Sequence, residues 1–167
     1  MKKSELRQII KEEIKTVIQE GAEELKAYDA IKGAMFKIKK ALEPVLDKAK
    51  AANIIKQYKI NIRPYNGGLE LQTNIKPNFE RDVIEKNSEF SHILSNLYGI
   101  YIQPKTFFQS DIDDGLNPWI EYKSFKIDKN DKEFGKKIVP RKDNIKKVID
   151  EIMKEILARI DTLNKMV

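Results

Sequence analysis

Apolar residues recur every three or four positions near the start of the chain: Leu6, Ile9, Ile10, Ile14, Val17 and Ile18. Lys11, Glu12, Glu13, Lys15 and Gln19 fill the intervening positions. A 3.6-residue period gathers the six apolar side chains on one face, so the spacing predicts an amphipathic helix. Ser4 suits its N-cap and Gly21 the C′ position that ends it. Such a helix is marginal alone in water, so its stripe needs cover. A second helical stretch follows through Leu25, Tyr28, Ile31, Met35, Ile38 and Leu42. Pro44 predicts a break near Leu42-Glu43 and a short new helix from Pro44 to about Ala52.

The period then drops to two. Tyr58, Ile60 and Ile62 alternate with Lys59, Asn61 and Arg63, and Leu69, Leu71, Thr73 and Ile75 alternate with Glu70, Gln72 and Asn74. Between the runs, Asn66-Gly67 supplies the positive φ angles of a tight hairpin turn. Residues 78–98 read as helix in two pieces, with Asn78 and Ser88 as caps, Phe90, Ile93, Leu94 and Leu97 on the buried face, and Gly99 at the close. Two further strands are expected, Ile100 to Phe108 interrupted by Pro104, and Trp119 to Ile127. Lys129 to Lys142 reads as a polar loop. A last helix, from near Asp143 almost to Val167, carries Ile145, Val148, Ile149, Ile152, Ile156, Leu157, Ile160 and Leu163 at near-heptad spacing.

These elements predict an α+β fold. A small antiparallel sheet of about four strands would carry helices on one face, with long amphipathic helices at both ends. Residues 1–21 form an amphipathic docking or assembly helix in this reading, and residues 22–167 a single α+β domain. The length of 167 residues accommodates that core.

Charge refines the picture. The net charge of +6 is uneven. Residues 1–57 hold 13 basic and 9 acidic side chains (+4), residues 58–134 hold 10 and 12 (−2), and residues 135–167 hold 9 and 5 (+4). A cluster of Lys136, Lys137, Arg141, Lys142, Lys146 and Lys147 gathers around the start of the last helix, where its charges oppose the helix dipole. An anionic partner would relieve that cost, so contact with nucleic acid is one expectation. A solvated basic turn is the other.

The chain has no cysteine, which excludes disulfides, thiol catalysis and thiolate metal sites. No apolar run reaches the length of a membrane span, and charges after Met1-Lys2-Lys3 interrupt any signal-peptide core. The expected location is the cytoplasm, without secretion by a signal peptide. His92 is the single histidine, beside Ile93 and Leu94 on an expected helix, and reads as structural. Asp111-Ile112-Asp113-Asp114-Gly115 invites a calcium reading but lacks EF-hand spacing, so a solvated turn is expected. No glycine loop for phosphate precedes a helix. Glu70, Glu80 and Glu121 cannot be paired from sequence into an acid–base couple. No catalytic residue, cofactor, metal or small-molecule substrate is therefore expected.

The opening Met1-Lys2-Lys3-Ser4-Glu5-Leu6-Arg7-Gln8-Ile9-Ile10-Lys11-Glu12-Glu13-Ile14 resembles the N-termini of small tailed-phage virion and internal proteins. In T-even-like phages such segments target proteins to the prohead and are cleaved after a Leu/Ile-x-Glu motif. Ile18-Gln19-Glu20 before Gly21 is similar to that motif. The resemblance covers about the first 20 residues. It implies a non-enzymatic virion or virion-associated protein that works by protein–protein assembly or self-association, with Leu6, Ile9, Ile10, Ile14, Val17 and Ile18 as its interface. Two other outcomes stay open: a nucleic-acid-binding protein using residues 135–147, or a phage-encoded inhibitor of a host protein. A further alternative packs both terminal helices on the chain's own sheet and leaves no interface.

Overall fold

The computed structural model describes residues 3–108, 116–128, 130–131, 136–140 and 145–167. The first element is one helix, α1 (Lys3–Ala51), of 49 residues. Gly21 does not end it and Pro44 does not break it. Gly21 costs about 1 kcal/mol against alanine in a helix interior, which neighbouring turns absorb. Pro44 forfeits one backbone hydrogen bond, but it is exposed, while Leu42, Val45, Leu46 and Ala49 are buried around it. Packing on both sides of the proline holds the helix line. The true stop is Asn53, at φ 60. Ile54 N–H bonds the Ala49 carbonyl at 2.9 Å and Asn53 N–H that of Lys50 at 3.0 Å, the paired bonds of a left-handed C-terminal cap.

β1 (Ile55–Tyr65) and β2 (Gly68–Pro77) form the expected hairpin. Asn66 and Gly67, at φ 44 and 78, make its two-residue turn. Two short helices follow, α2 (Arg81–Lys86) and α3 (Ser88–Asn96). Their N-caps are Glu80, two residues after the expected Asn78, and Asn87, one before the expected Ser88. Asn78 instead ties the hairpin base: its Nδ2 donates to the Asn53 carbonyl at 3.1 Å, and its Oδ1 accepts from Glu80 N–H at 3.3 Å.

β3 (Ile100–Phe108), β4 (Leu116–Lys123) and β5 (Lys136–Pro140) complete an antiparallel sheet in the order β1-β2-β3-β4-β5. The fifth strand lies within the stretch expected to be polar loop. It pairs Lys136 to Pro140 with Lys123 to Trp119 of β4, which a five-residue run without clear alternation does not announce. β3 runs through Pro104 without interruption. Ile102 pairs with Leu69 of β2, and Pro104, two residues on, shares that strand edge where β2 has already turned away. No ladder donor is missing there. β4 stops at Lys123, four residues before the expected end.

The last helix, α4 (Ile145–Lys165), buries Ile149, Ile152, Met153, Ile156, Ile160 and Leu163. It lies parallel to α1: Gly33 and Ala34 share a cleft with Ile149 and Asp150, and Lys48 Nζ donates to Asn164 Oδ1 at 2.8 Å. The two long helices pack together over one face of the sheet. Ile31, Met35, Ile38, Leu42 and Leu46 of α1 meet Ile60, Leu71, Ile100, Ile102 and Ile120 of the sheet in one core. The near-heptad stripe of α4 is thus covered within the chain.

Candidate functional site

α4 is 21 residues long, and Lys146, near its start, shares a cleft with Asp29 and Ala30 of α1. Among the described side chains of α1, the first that is buried is Ala27. Every described side chain from Gln8 to Lys26 is exposed. Ile10, Ile14, Ile18 and Leu25 belong to this stretch and are 45 to 69 % exposed. Ile10, Ile14 and Ile18 sit four residues apart, so they line one side of the helix. Leu6, Ile9 and Val17 lie on the same helical stretch. At 1.5 Å per residue, residues 3–26 extend roughly 35 Å. The structure therefore does not pack both terminal helices wholly on the sheet: α4 is covered, and Ile10, Ile14, Ile18 and Leu25 of α1 are not.

The basic segment is divided. Lys136 and Lys137 belong to β5, paired with Lys123 and Tyr122, and not to a helix start. Arg141 and Lys142 lie outside the described residues, as do the expected helix start at Asp143 and the acidic turn 111–115. Lys146 and Lys147 are exposed on the first turn of α4, on an open surface that also holds Asp150, Glu151 and Lys154. Acidic neighbours one turn away offset the positive field that a phosphate backbone would need.

Opposite the helices, the sheet gathers polar groups that sequence left dispersed. Arg63 Nε meets Glu70 Oε2 at 2.7 Å, and Tyr101 O–H donates to Glu121 Oε1 at 2.9 Å. The rings of Tyr65 and Tyr101 lie 5.2 Å apart. Glu70 pairs with Tyr101 across β2 and β3, so two carboxylates flank one phenol. Burial, then the hydrogen bond and charge of Glu121, raise the Tyr101 pKa, which keeps its proton on at neutral pH. Tyr58 donates to Asp47 Oδ1 at 2.6 Å, and that bond, with burial and the charges of Asp47 and Glu43, pushes its pKa up to about 12. Both phenols are held neutral, the opposite of nucleophile activation. Glu80 stands apart, at the N-cap position of α2, where its side chain makes no capping bond.

His92 is exposed on α3, where its carbonyl accepts from Ser95 Oγ at 2.6 Å and Asn96 Nδ2 at 2.9 Å. Among the described residues no three His, Cys, Asp or Glu side chains gather as metal ligands, and no helix is long and apolar enough to cross a membrane.

Sequence reading missed one feature altogether. β3 pairs only with Leu69, Glu70 and Leu71 of β2, and α3 stands beside the rest of that strand. Between them lies a groove of about 680 Å³ with Ile54, Ile75, Pro77 and Leu94 among its apolar walls. Lys59, Lys76, Ser91, Ser95 and Tyr98 add polar groups, and among the described residues no carboxylate lines it. The period-two pattern marked Thr73 and Ile75 as strand positions, but nothing local could reveal that their neighbouring strand stops short. No protein family, curated protein or solved structure matches the chain.

Proposed function

We propose that the chain is a non-enzymatic structural or assembly protein that acts through protein–protein contacts of the first half of α1. The observation that carries this reading is the exposed Ile10, Ile14 and Ile18 on a helical segment with no cover from the described chain. Each large aliphatic side chain gains roughly 1.5–3 kcal/mol when fully buried, so docking this stripe on a partner helix or groove is strongly favoured. A soluble chain seldom leaves such a stripe bare over so long a helix unless a partner takes it. The resemblance of the same residues to tailed-phage segments supports a virion or virion-associated role, with the host cytoplasm or the virion as its location.

The test compares the full chain with an Ile10→Asp/Ile14→Asp/Ile18→Asp variant by light scattering and by incorporation into assembled particles. The expected result is loss of the assembled species with the circular dichroism melt of the body retained. A monomeric mass of 19.4 kDa for the unmodified chain at high concentration, together with incorporation that survives the three substitutions, contradicts the proposal.

A further inference from the structure

We propose that the groove between α3 and β2 is a second, independent binding site, which takes an extended acidic peptide by adding it as a strand to the free edge of β2. Three observations converge on it.

The first is the edge itself. In a two-residue hairpin the residues flanking the turn, here Tyr65 and Gly68, bond each other, and hydrogen-bonded pairs then alternate along the ladder. Arg63 with Glu70, Asn61 with Gln72 and Lys59 with Asn74 follow as bonded pairs. The backbone groups of Leu69, Leu71, Thr73 and Ile75 face away from β1. Those of Leu69 and Leu71 meet β3 at Ile102 and Ile100. Thr73 and Ile75 lie beyond the last β3 partner, and no other strand pairs with them among the described residues. Two N–H donors and two carbonyl acceptors are therefore offered in β geometry at one wall of the groove.

The second is Thr73. It lines the groove, is 4 % exposed, and its Oγ1 has no hydrogen-bond partner among the described residues. A buried hydroxyl without a partner is costly, and a ligand supplying one removes that cost.

The third is charge and shape. Lys59 and Lys76 border the groove, with no acidic side chain among its described lining residues, while Ile75 and Leu94 give it an apolar wall. An extended segment alternating apolar and acidic side chains matches both features, since successive side chains of a strand point to opposite faces. From Thr73 to Pro77 the wall spans five residues, which accommodates about 17 Å of extended chain. A nucleic-acid strand would use the two lysines but leave the β-edge amides and carbonyls unmatched, which favours the peptide.

The experiment selects binders from a displayed random heptapeptide library on the full chain and measures their affinities by fluorescence polarisation. The expected consensus alternates acidic with β-branched or aliphatic residues. Ser95→Trp, which fills the groove from the exposed face of α3, should weaken binding by about tenfold or more. Lys59→Glu with Lys76→Glu should weaken it and reduce its salt dependence, and N-methylation of the peptide backbone should abolish it. Thr73→Val removes the hydroxyl at constant shape and should lower affinity without lowering the melting temperature. Failure to enrich any peptide overturns the proposal, as does binding indifferent to Ser95→Trp. Binding of oligo-dT lost on the double lysine reversal, with no peptide bound, overturns it in favour of a phosphate site. None of these readouts depends on the α1 segment, so deletion of residues 1–22 should leave them unchanged.

Discussion

Arg159 of α4 forks onto both carboxylate oxygens of Asp131, its Nη1 meeting Oδ2 and its Nη2 meeting Oδ1 at 3.3 Å. The same Nη1 donates to the Phe125 carbonyl at 2.9 Å, and Nε lies 3.5 Å from Glu155 Oε1. Glu155 Oε2 accepts from Tyr122 O–H at 2.6 Å, and Asp131 Oδ2 accepts from Ile127 N–H at 3.2 Å. The side chains of Arg159 and Asp131 are 8 and 11 % exposed. One guanidinium thus ties the segment after β4 to the covered face of α4.

Breaking that fork from one side leaves a charge buried. Asp131→Ala is expected to destabilise the chain by about 3 kcal/mol in urea unfolding. Arg159→Met combined with Asp131→Ala should cost clearly less than the two single changes added together, because the orphaned charge disappears. A single-variant cost within about 0.5 kcal/mol of zero would mean that the pair behaves as a surface contact.

Pro44 opposes the helix that contains it. It is exposed, and Pro44→Ala restores the missing amide without disturbing the core. The expected gain is about 2 kcal/mol, the helix-interior penalty less the entropy that proline removes from the unfolded chain. A drop in melting temperature would show that the helix needs the proline's local geometry.

Gly68 sits where β2 meets β3. A Cβ there would press on the Ile102 carbonyl and lie 2.6 Å from Gln103 Cβ. Backbone cannot yield as a flexible side chain does, so Gly68→Ala should cost about 2–3 kcal/mol by thermal melting. An unchanged melt would show that β3 shifts freely.

Tyr58 makes stability depend on alkaline pH. Its pKa rises from 10.0 to about 12 on folding, led by the hydrogen bond to Asp47. The raised value means the folded state holds the proton more tightly than the unfolded state. The stabilisation is therefore complete below pH 10 and is lost as pH rises towards 12. Tyr58→Phe should lower stability at neutral pH and flatten that part of the alkaline melting profile. A profile identical in the two proteins would remove the Asp47 bond as a source of stability.

Deleting residues 1–22 should leave the melt of the remainder within about 0.5 kcal/mol of the full chain, since the described side chains removed are all exposed. Loss of cooperative unfolding would assign this stretch a role in the body's own core.

Much of the architecture was legible because its signals are local. Period two and Asn66-Gly67 identify the β1–β2 hairpin, and the apolar spacing from Ile149 to Leu163 identifies α4 and its buried face. Helix ends were less legible. Gly21 and Pro44 carry the residue-level marks of ends, yet both are interior: glycine costs a helix only about 1 kcal/mol, and at Pro44, where the cost is about 3 kcal/mol, the packing of Leu42, Val45 and Leu46 outweighs it. β5 was missed because a short strand with two leading lysines is fixed by its partner β4. Helical spacing places Ile10, Ile14 and Ile18 on one face of α1, whereas nothing local marks the groove beside β2.

The order of residues by itself determined where the chain is amphipathic, at which period, and which side chains make each stripe. Only the tertiary structure decided which stripes are covered. Ile149, Ile152 and Leu163 of α4 are buried while Ile10, Ile14 and Ile18 of α1 are exposed, and β3 leaves β2 after Leu71. Both are long-range matters of where one element ends against another, and a periodic pattern carries no information about the length of its partner.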